Sequence, residues 1–274
     1  MAADDTVLFE LDEGVGIVTL NRPKRHNAVT WDMAEKLVEL FRELQTTDEV
    51  KVIVLTGAGG RAFCAGGDVE WIGGEADRPI PGLSDKPIPR YQRKTPAGPF
   101  AEFTRMIVAV DKPVIAAIPG IAVGAGLAFA LACDRRFADT TTRMAAIFVT
   151  RGLSPDSGIT YFLPRIVGLP KALKMVETGE MLNAEAAKEA GLIDELVPEG
   201  EALSAALDYA KELAAGASVA IDFGRRFIHK SLNSTLDEML DYEAVASVVN
   251  IFTEDAQEGT KSFMEKREPR FKGQ

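Results

Sequence analysis

Two almost uninterrupted apolar runs, KVIVLTG at 51–57 and KPVIAAIPG at 112–120, constrain this chain's fold more than any other feature. A strand with one wet face alternates apolar and polar residues. These two do not alternate, so they read as strands of a parallel sheet covered on both faces. Helical stretches separate them, as right-handed crossover units require. Residues 30–47 place Met33, Leu37, Leu40, Phe41 and Leu44 on one face behind the possible cap Thr30. Upstream, TVLFELD and GVGIVTLN alternate around Asp12–Glu13–Gly14, which predicts a hairpin. After Gly158 the pattern turns helical over 170–178, 184–190, 201–215, 217–231, 234–252 and 257–267, with one short strand near 193–197. The prediction is an α/β core over 1–200 followed by a C-terminal helical region over 201–274. With 274 residues and 46% hydrophobic content, the chain has material for a large core.

Charge and cysteine usage exclude several classes. A formal charge of -10 opposes nonspecific nucleic-acid binding. Cys64 and Cys133 lie among apolar or small residues, in neither a metal spacing nor a disulfide framework, which predicts a reducing, cytoplasmic setting. MAADDTVLFE lacks the basic-then-apolar order of a signal peptide, and no apolar run reaches the roughly 18 residues of a membrane span.

Two small-residue turns carry the chemistry. FCAGGDVEW at 63–71 follows a strand and lacks a phosphate-loop lysine, while GIAVGAGLAFALACD at 120–134 runs from a strand straight into an apolar helix. The second turn's amides sit at the positive end of that helix. Together the turns can form an oxyanion hole. On spacing alone the plainer alternative stays open: Gly66 and Gly67 make a tight turn, and Gly124 and Gly126 let the helix pack closely. TGAGGRA satisfies a loose dinucleotide fingerprint through Gly57, Gly59 and Ala62. It does not open into a helix, and no acidic residue follows on a second strand, so a nucleotide site is not expected. The phosphate-loop, HExxH and GxSxG patterns are absent, and two histidines, His26 and His229, leave little for a Ser–His–Asp triad or a metal site. Between Gly73 and Pro99, five prolines and weak periodicity predict a long surface loop, with a lid and a passive insertion both open.

NRPKRHNAV at 21–29, AFCAGGDVEW at 62–71, the turn ending in LACD at 131–134, RGLSPDSGITYFLPRIVG at 151–168 and FTEDAQEGTKSFMEKREPRF near the C-terminus together resemble the crotonase, or enoyl-CoA hydratase/isomerase, superfamily. The resemblance covers nearly the whole chain. It implies a repeated ββα spiral core, a C-terminal helical trimerisation region, acyl-CoA substrates, trimers or hexamers, and no cofactor beyond the coenzyme A of the substrate.

Carried over by position, the resemblance puts the two oxyanion amides on Gly67 and Ala125. It assigns coenzyme A contacts to Lys24, Arg25 and Ala28, to Ala65, Asp68 and Val69, and to Phe263 and Lys266. Trp71, Phe148 and Pro155 fall to the acyl pocket. For Lys24 and Lys266 an ordinary solvated surface is the competing reading. The departures bear on the reaction. Where hydratases of this family carry two glutamates, this chain has Ala128 and Phe148, neither of which can hold a proton. Asp156 in SPDSG stands where several family isomerases carry their working acid. Its competing role is to cap the helix expected at 158–164. Asp68 is expected to cap the helix that follows it, and Glu70 is the reserve acid. The expectation is an acyl-CoA isomerase with Asp156 as proton shuttle. An enoyl-CoA hydratase using a single carboxylate and a non-catalytic acyl-CoA-binding protein are the alternatives.

Overall fold

The computed structural model describes residues 5–69 and 98–273. The first hairpin forms as its alternation predicts: β1 (Val7–Asp12) pairs antiparallel with β2 (Val15–Leu20), from Val7 opposite Leu20 to Asp12 opposite Val15. Glu13 and Gly14 turn the chain in left-handed conformations. Helix α1 (Trp31–Thr46) starts where the hydroxyl of Thr30 accepts from the Met33 N–H, and it buries Met33, Leu37, Phe41 and Leu44.

From there a two-sheet repeat sets the architecture. In each unit the first strand enters a six-stranded sheet and the second enters a four-stranded one. The pairs are β3 (Val52–Gly57) with β4 (Ala62–Cys64), β5 (Val114–Ile118) with β6 (Ile121–Val123), and β7 (Arg135–Asp139) with β8 (Arg143–Ala145). Helix α2 (Gly98–Ala109) precedes β5, and α3 (Ala125–Ala132) follows β6. This is the ββα spiral. Strands β9 (Leu182–Asn183) and β10 (Glu195–Val197) complete the sheets, whose orders are β1-β2-β3-β5-β7-β10 and β4-β6-β8-β9. All six residues of β3 and all five of β5 are buried, which is why neither run could alternate.

Helices α4 (Ile159–Val167), α5 (Leu169–Thr178) and α6 (Ala184–Glu189) follow the third unit. Helix α7 (Ala202–Ala214) lies C-terminal to residue 200 yet covers the larger sheet: Ala206, Ala210 and Ala214 pack on Val15, Val52, Val54, Ile115 and Phe137. Small residues at helical spacing let this helix approach the strands closely. Helices α8 (Ser218–Ser231), α9 (Leu236–Ile251) and α10 (Glu254–Glu265) close the chain. Helix α10 begins three residues before its sequence pattern suggested, because the Thr253 hydroxyl accepts from the Ala256 N–H and caps it. Arg225 fastens α8 to the core, with Nε on Asp134 at 2.6 Å and the guanidinium donating to the carbonyls of Ile107, Val108 and Val110.

Candidate active site

The two glycine turns lie side by side because β4 and β6 are parallel neighbours and each turn leaves the C-terminal end of its strand. Close packing dictates the residue types. A Cβ on Gly66 would stand 3.0 Å from the Val123 carbonyl oxygen and 3.4 Å from the Ala125 nitrogen. A Cβ on Gly126 would stand 2.3 Å from the Cys64 carbonyl oxygen. Gly66 and Gly124 also take φ values of 88° and 58°, a region open to glycine. So the turns are tight, as the plainer alternative held, and the tightness brings their amides together.

The direction of those amides follows from the bonds around them. Val29 bridges Gly67 in parallel register: the Val29 N–H donates to the Gly66 carbonyl at 2.8 Å, and the Asp68 N–H donates to the Val29 carbonyl at 2.9 Å. In a parallel bridge the neighbours make both bonds, so the Gly67 N–H points away from Val29. Ala125 is the first residue of α3, where a helix leaves its N–H groups without internal acceptors. Ala125 is buried, and among the described residues no acceptor meets its N–H or that of Gly67. Two unpaired amides on touching turns, one at a helix N-terminus, form a place for an oxygen that gains negative charge.

Cys64 sits between the turns as packing rather than as a nucleophile. Its Sγ accepts from the Gly66 N–H at 3.4 Å. Burial pushes the thiol up to about 12, so it keeps its proton at neutral pH.

The segment that follows β8 starts against the second turn. The Gly124 N–H donates to the Ala145 carbonyl, and a Cβ on Gly124 would meet Ile147 Cγ1 at 3.8 Å. Phe148, within a 3-10 turn over Ile147–Arg151, is buried with Ala128 in the main core cluster. Ala128 and Phe148 are therefore both apolar and buried. The Leu153 N–H donates to the Phe148 carbonyl, which leads the chain to Pro155 and Asp156.

Asp156 does not cap α4. Ser157 and Gly158 both take left-handed conformations, Gly158 stands at the N-cap without a side-chain bond, and the Asp156 carboxylate accepts from the Ser157 hydroxyl at 2.8 Å. The residue is exposed overall, yet desolvation around its carboxyl raises its pKa above the ordinary aspartate value of 3.8, against the opposing pull of the Ser157 hydroxyl. Ser157 itself is buried, with its carbonyl accepting from the Thr104 hydroxyl at 2.9 Å. The carboxylate is thus mounted on a fixed turn.

Lys24 and Arg25 lie in a 3-10 turn over Pro23–Arg25, and His26 ends it at φ 49° as a turn residue. The turn is bound to the first glycine loop: the Ala65 N–H donates to the His26 carbonyl, and buried Asn27 donates to the carbonyls of Ala58 and Ala62. Arg22, Asn27 and Asp68 form a network that sequence reasoning passed over. The visible signal was an arginine and an asparagine within the same NRPKRHNAV segment that supplied Lys24 and Arg25. Arg22 donates to the Ala28 carbonyl and pairs with Asp68 at 2.8 Å. Asp68 is thereby engaged with Arg22. The helix it was expected to cap, with Glu70, Trp71 and the loop 73–97, lies outside the described residues. Val69 is 59% exposed.

Among the described residues no hydrogen bond or ion pair joins Phe263 or Lys266 to Lys24. The tail beyond α10 docks where β3 begins, with Lys51 Nζ donating to the Lys272 carbonyl, whereas Pro23 lies against Gly59 past the far end of β3. The Phe263 ring is 85% exposed. A cavity of about 1250 Å³ between α2, α4 and α8 is lined by Tyr161, Arg225 and His229, with neither Gly67 nor Ala125 among its lining residues. Among the described residues no group of three or more His, Cys, Asp or Glu side chains is placed to hold a metal ion.

The family model for enoyl-CoA hydratase/isomerase matches residues 10–274. The chain is 32% identical over 267 residues to 1,2-epoxyphenylacetyl-CoA isomerase of Escherichia coli, covering 97% of this chain and 98% of that one. It is 33% identical to (E)-benzylidenesuccinyl-CoA hydratase of Thauera aromatica over 97% of this chain and 99% of the relative. Among solved structures, a Streptomyces coelicolor protein superposes with a TM-score of 0.89 at 34% identity over 100% of this chain and 96% of its own. An enoyl-CoA hydratase from Bacillus anthracis superposes with a TM-score of 0.87 at 29% identity, covering 98% and 100%.

Proposed function

Because this chain belongs to the enoyl-CoA hydratase/isomerase family, we propose that it is an acyl-CoA isomerase that holds a thioester enolate on the Gly67 and Ala125 amides and moves one proton with Asp156. The observation that carries this reading is that Asp156 keeps a carboxylate free of any helix cap, while Ala128 and Phe148, at the positions where the resemblance expects the hydratase glutamates, are buried and carry no acid. The similarity to an epoxyphenylacetyl-CoA isomerase supports it.

In this mechanism the thioester carbonyl accepts both N–H bonds. Asp156 takes a proton from the α-carbon of a 3-enoyl thioester, and the electron pair delocalises onto the carbonyl oxygen, where the amides stabilise it. The carboxylic acid returns the proton at the γ-carbon, so the double bond moves into conjugation and the carboxylate is regenerated. Each oxyanion donor contributes about 2.7–4 kcal/mol to lowering the barrier in comparable sites. Raising the Asp156 pKa brings the base closer to working pH, which favours transfer in both directions. Lys24 and Arg25 serve the phosphates of the coenzyme. Phe263 and Lys266 fit the adenine end only if a second copy brings them, in keeping with the exposed apolar residues Leu240, Val245, Val248 and Val249 on α9.

A second reading is hydration, favoured by relatives such as the Thauera hydratase. It would require Asp156 alone to activate water. Incubation with 3-enoyl-CoA and 2-enoyl-CoA in deuterated water separates the two. Isomerisation with deuterium incorporation that falls about 10²–10⁴-fold in Asp156→Asn is the expected result. Water addition that persists in Asp156→Asn would sink the shuttle, and coenzyme A binding without turnover would point to a non-catalytic binder.

A further inference from the structure

We infer that Arg22 is a positioning residue for the oxyanion site, which braces the Gly67 amide and cancels the negative charge of the adjacent Asp68. The inference rests on the thioester reading given above.

The geometry is that of a brace running from the core to the turn. Asn27, fully buried, accepts from the Arg22 N–H at 2.9 Å through Oδ1 and donates through Nδ2 to the Ala62 carbonyl at 2.7 Å, so the backbone of Arg22 is fixed to the start of β4. From that anchor the Arg22 guanidinium reaches across the Ala28 carbonyl to the Asp68 carboxylate at 2.8 Å. Asp68 follows Gly67 directly and is tied through its own N–H to Val29. The peptide that presents the Gly67 N–H is therefore held by the Val29 N–H at the Gly66 carbonyl, and the residue after it is held by the Val29 carbonyl and, through its side chain, by Arg22.

Electrostatics add a second reason for the pair. A carboxylate on the residue that follows the Gly67 donor opposes the charge that the amides are there to stabilise. The side chains of Arg22 and Asp68 are 21% and 8% exposed, so water and salt screen this repulsion weakly. A cation on the carboxylate cancels it. Tethering by charge-assisted hydrogen bonds also fixes the donor's direction, on which its effect depends.

The test is a double-mutant cycle with Arg22→Gln, Asp68→Asn and the combined variant, read by two measurements. The first is α-proton exchange of 3-hexenoyl-CoA in deuterated water, with kcat and KM separated. The second is the apparent pKa of bound acetoacetyl-CoA, whose enolate has its own ultraviolet absorbance. Arg22→Gln is expected to lower kcat about 10–100-fold with KM changed less than about threefold, and to raise the bound enolate's apparent pKa by about one unit. The combined variant should recover part of the lost kcat, up to the rate of Asp68→Asn alone, because the carboxylate charge is gone. Melting curves for each variant separate this from general unfolding. If Arg22→Gln does not fold, Asp68→Asn alone is expected to lower kcat several-fold at unchanged KM, and an unaltered kcat overturns the inference. Losses that multiply across the cycle, or a bound enolate whose titration does not move, overturn it as well. A wild-type protein that neither exchanges the α-proton nor binds acetoacetyl-CoA would instead refute the thioester reading.

Discussion

At the scale of single residues, the site depends on which polar atoms are left over once neighbours are satisfied. The Gly67 and Ala125 amides lack acceptors among the described residues, whereas the amides of Gly66 and Asp68 are engaged. Asp156 is similar: its main-chain carbonyl takes the Ile159 N–H and Gly158 holds the cap position, so its carboxylate is bound by Ser157 alone among the described residues. Its raised pKa has a kinetic consequence with a definite sign. The base works only when ionised, so kcat for α-proton exchange should fall as pH drops through that pKa. Because desolvation lifts the pKa above 3.8, this acid limb should lie at higher pH than for an ordinary aspartate. Ser157→Ala removes the one hydrogen bond that opposes the lift and should move the limb further up. A pH–rate profile for both proteins checks it, and a limb that stays in place in Ser157→Ala would contradict the assignment.

At the scale of elements, parallel pairing of β4 with β6 is what joins two turns some sixty residues apart in the chain into one site. The contact is close enough to be tested by a single methyl group. Gly126→Ala would push a Cβ to 2.3 Å from the Cys64 carbonyl oxygen and 2.7 Å from the Cys64 Cβ, both on a buried strand that cannot swing aside. Overpacking of this kind costs about 1–3 kcal/mol or more. Chemical denaturation should show that loss, and the surviving folded fraction should have a reduced kcat because α3 carries the Ala125 donor. Wild-type stability in this variant would mean that the turns are less closely packed than described. The sequence made the two glycine turns and the main strands legible, since both are local patterns. Element pairing was not legible: nothing near residue 64 specifies residue 122 as its partner.

At the scale of the whole molecule, the C-terminal helices are joined to the core through charged groups as well as apolar ones. Arg225 and His229 both reach Asp134, and beside them Asp222 has a buried Oδ1 without a hydrogen-bond partner among the described residues. Desolvation pushes the Asp222 pKa up to about 7, with Lys112 opposing the shift. The folded-state pKa thus exceeds the unfolded one of about 3.9, and the folded protein retains a proton that the unfolded chain has released. Stability from this group is therefore full at low pH and is lost as pH rises through that window to about 7. Asp222→Asn should melt at a higher temperature than the wild type at pH 8 and close to it at pH 4. Calorimetry at the two pH values tests this, and an equal difference at both would refute it.

Read alone, the sequence determined the buried parallel sheet, the family resemblance, the two glycine turns and the absence of any acid at Ala128 and Phe148, because each is written in local composition or in a short motif. The tertiary structure decided three further matters. It placed Asp156 off the helix cap, since two successive left-handed residues lie between it and α4. It placed α7 on the sheet, since Ala206, Ala210 and Ala214 leave room for close approach. It joined Arg22 to Asp68, a pairing across forty-six positions that depends on how β3, β4 and the bridge at Val29 fold together. Local patterns fix which groups a chain offers. Long-range packing fixes which of them remain unpaired, and the proposed chemistry uses the uncapped carboxylate and the two amides that have no acceptor among the described residues.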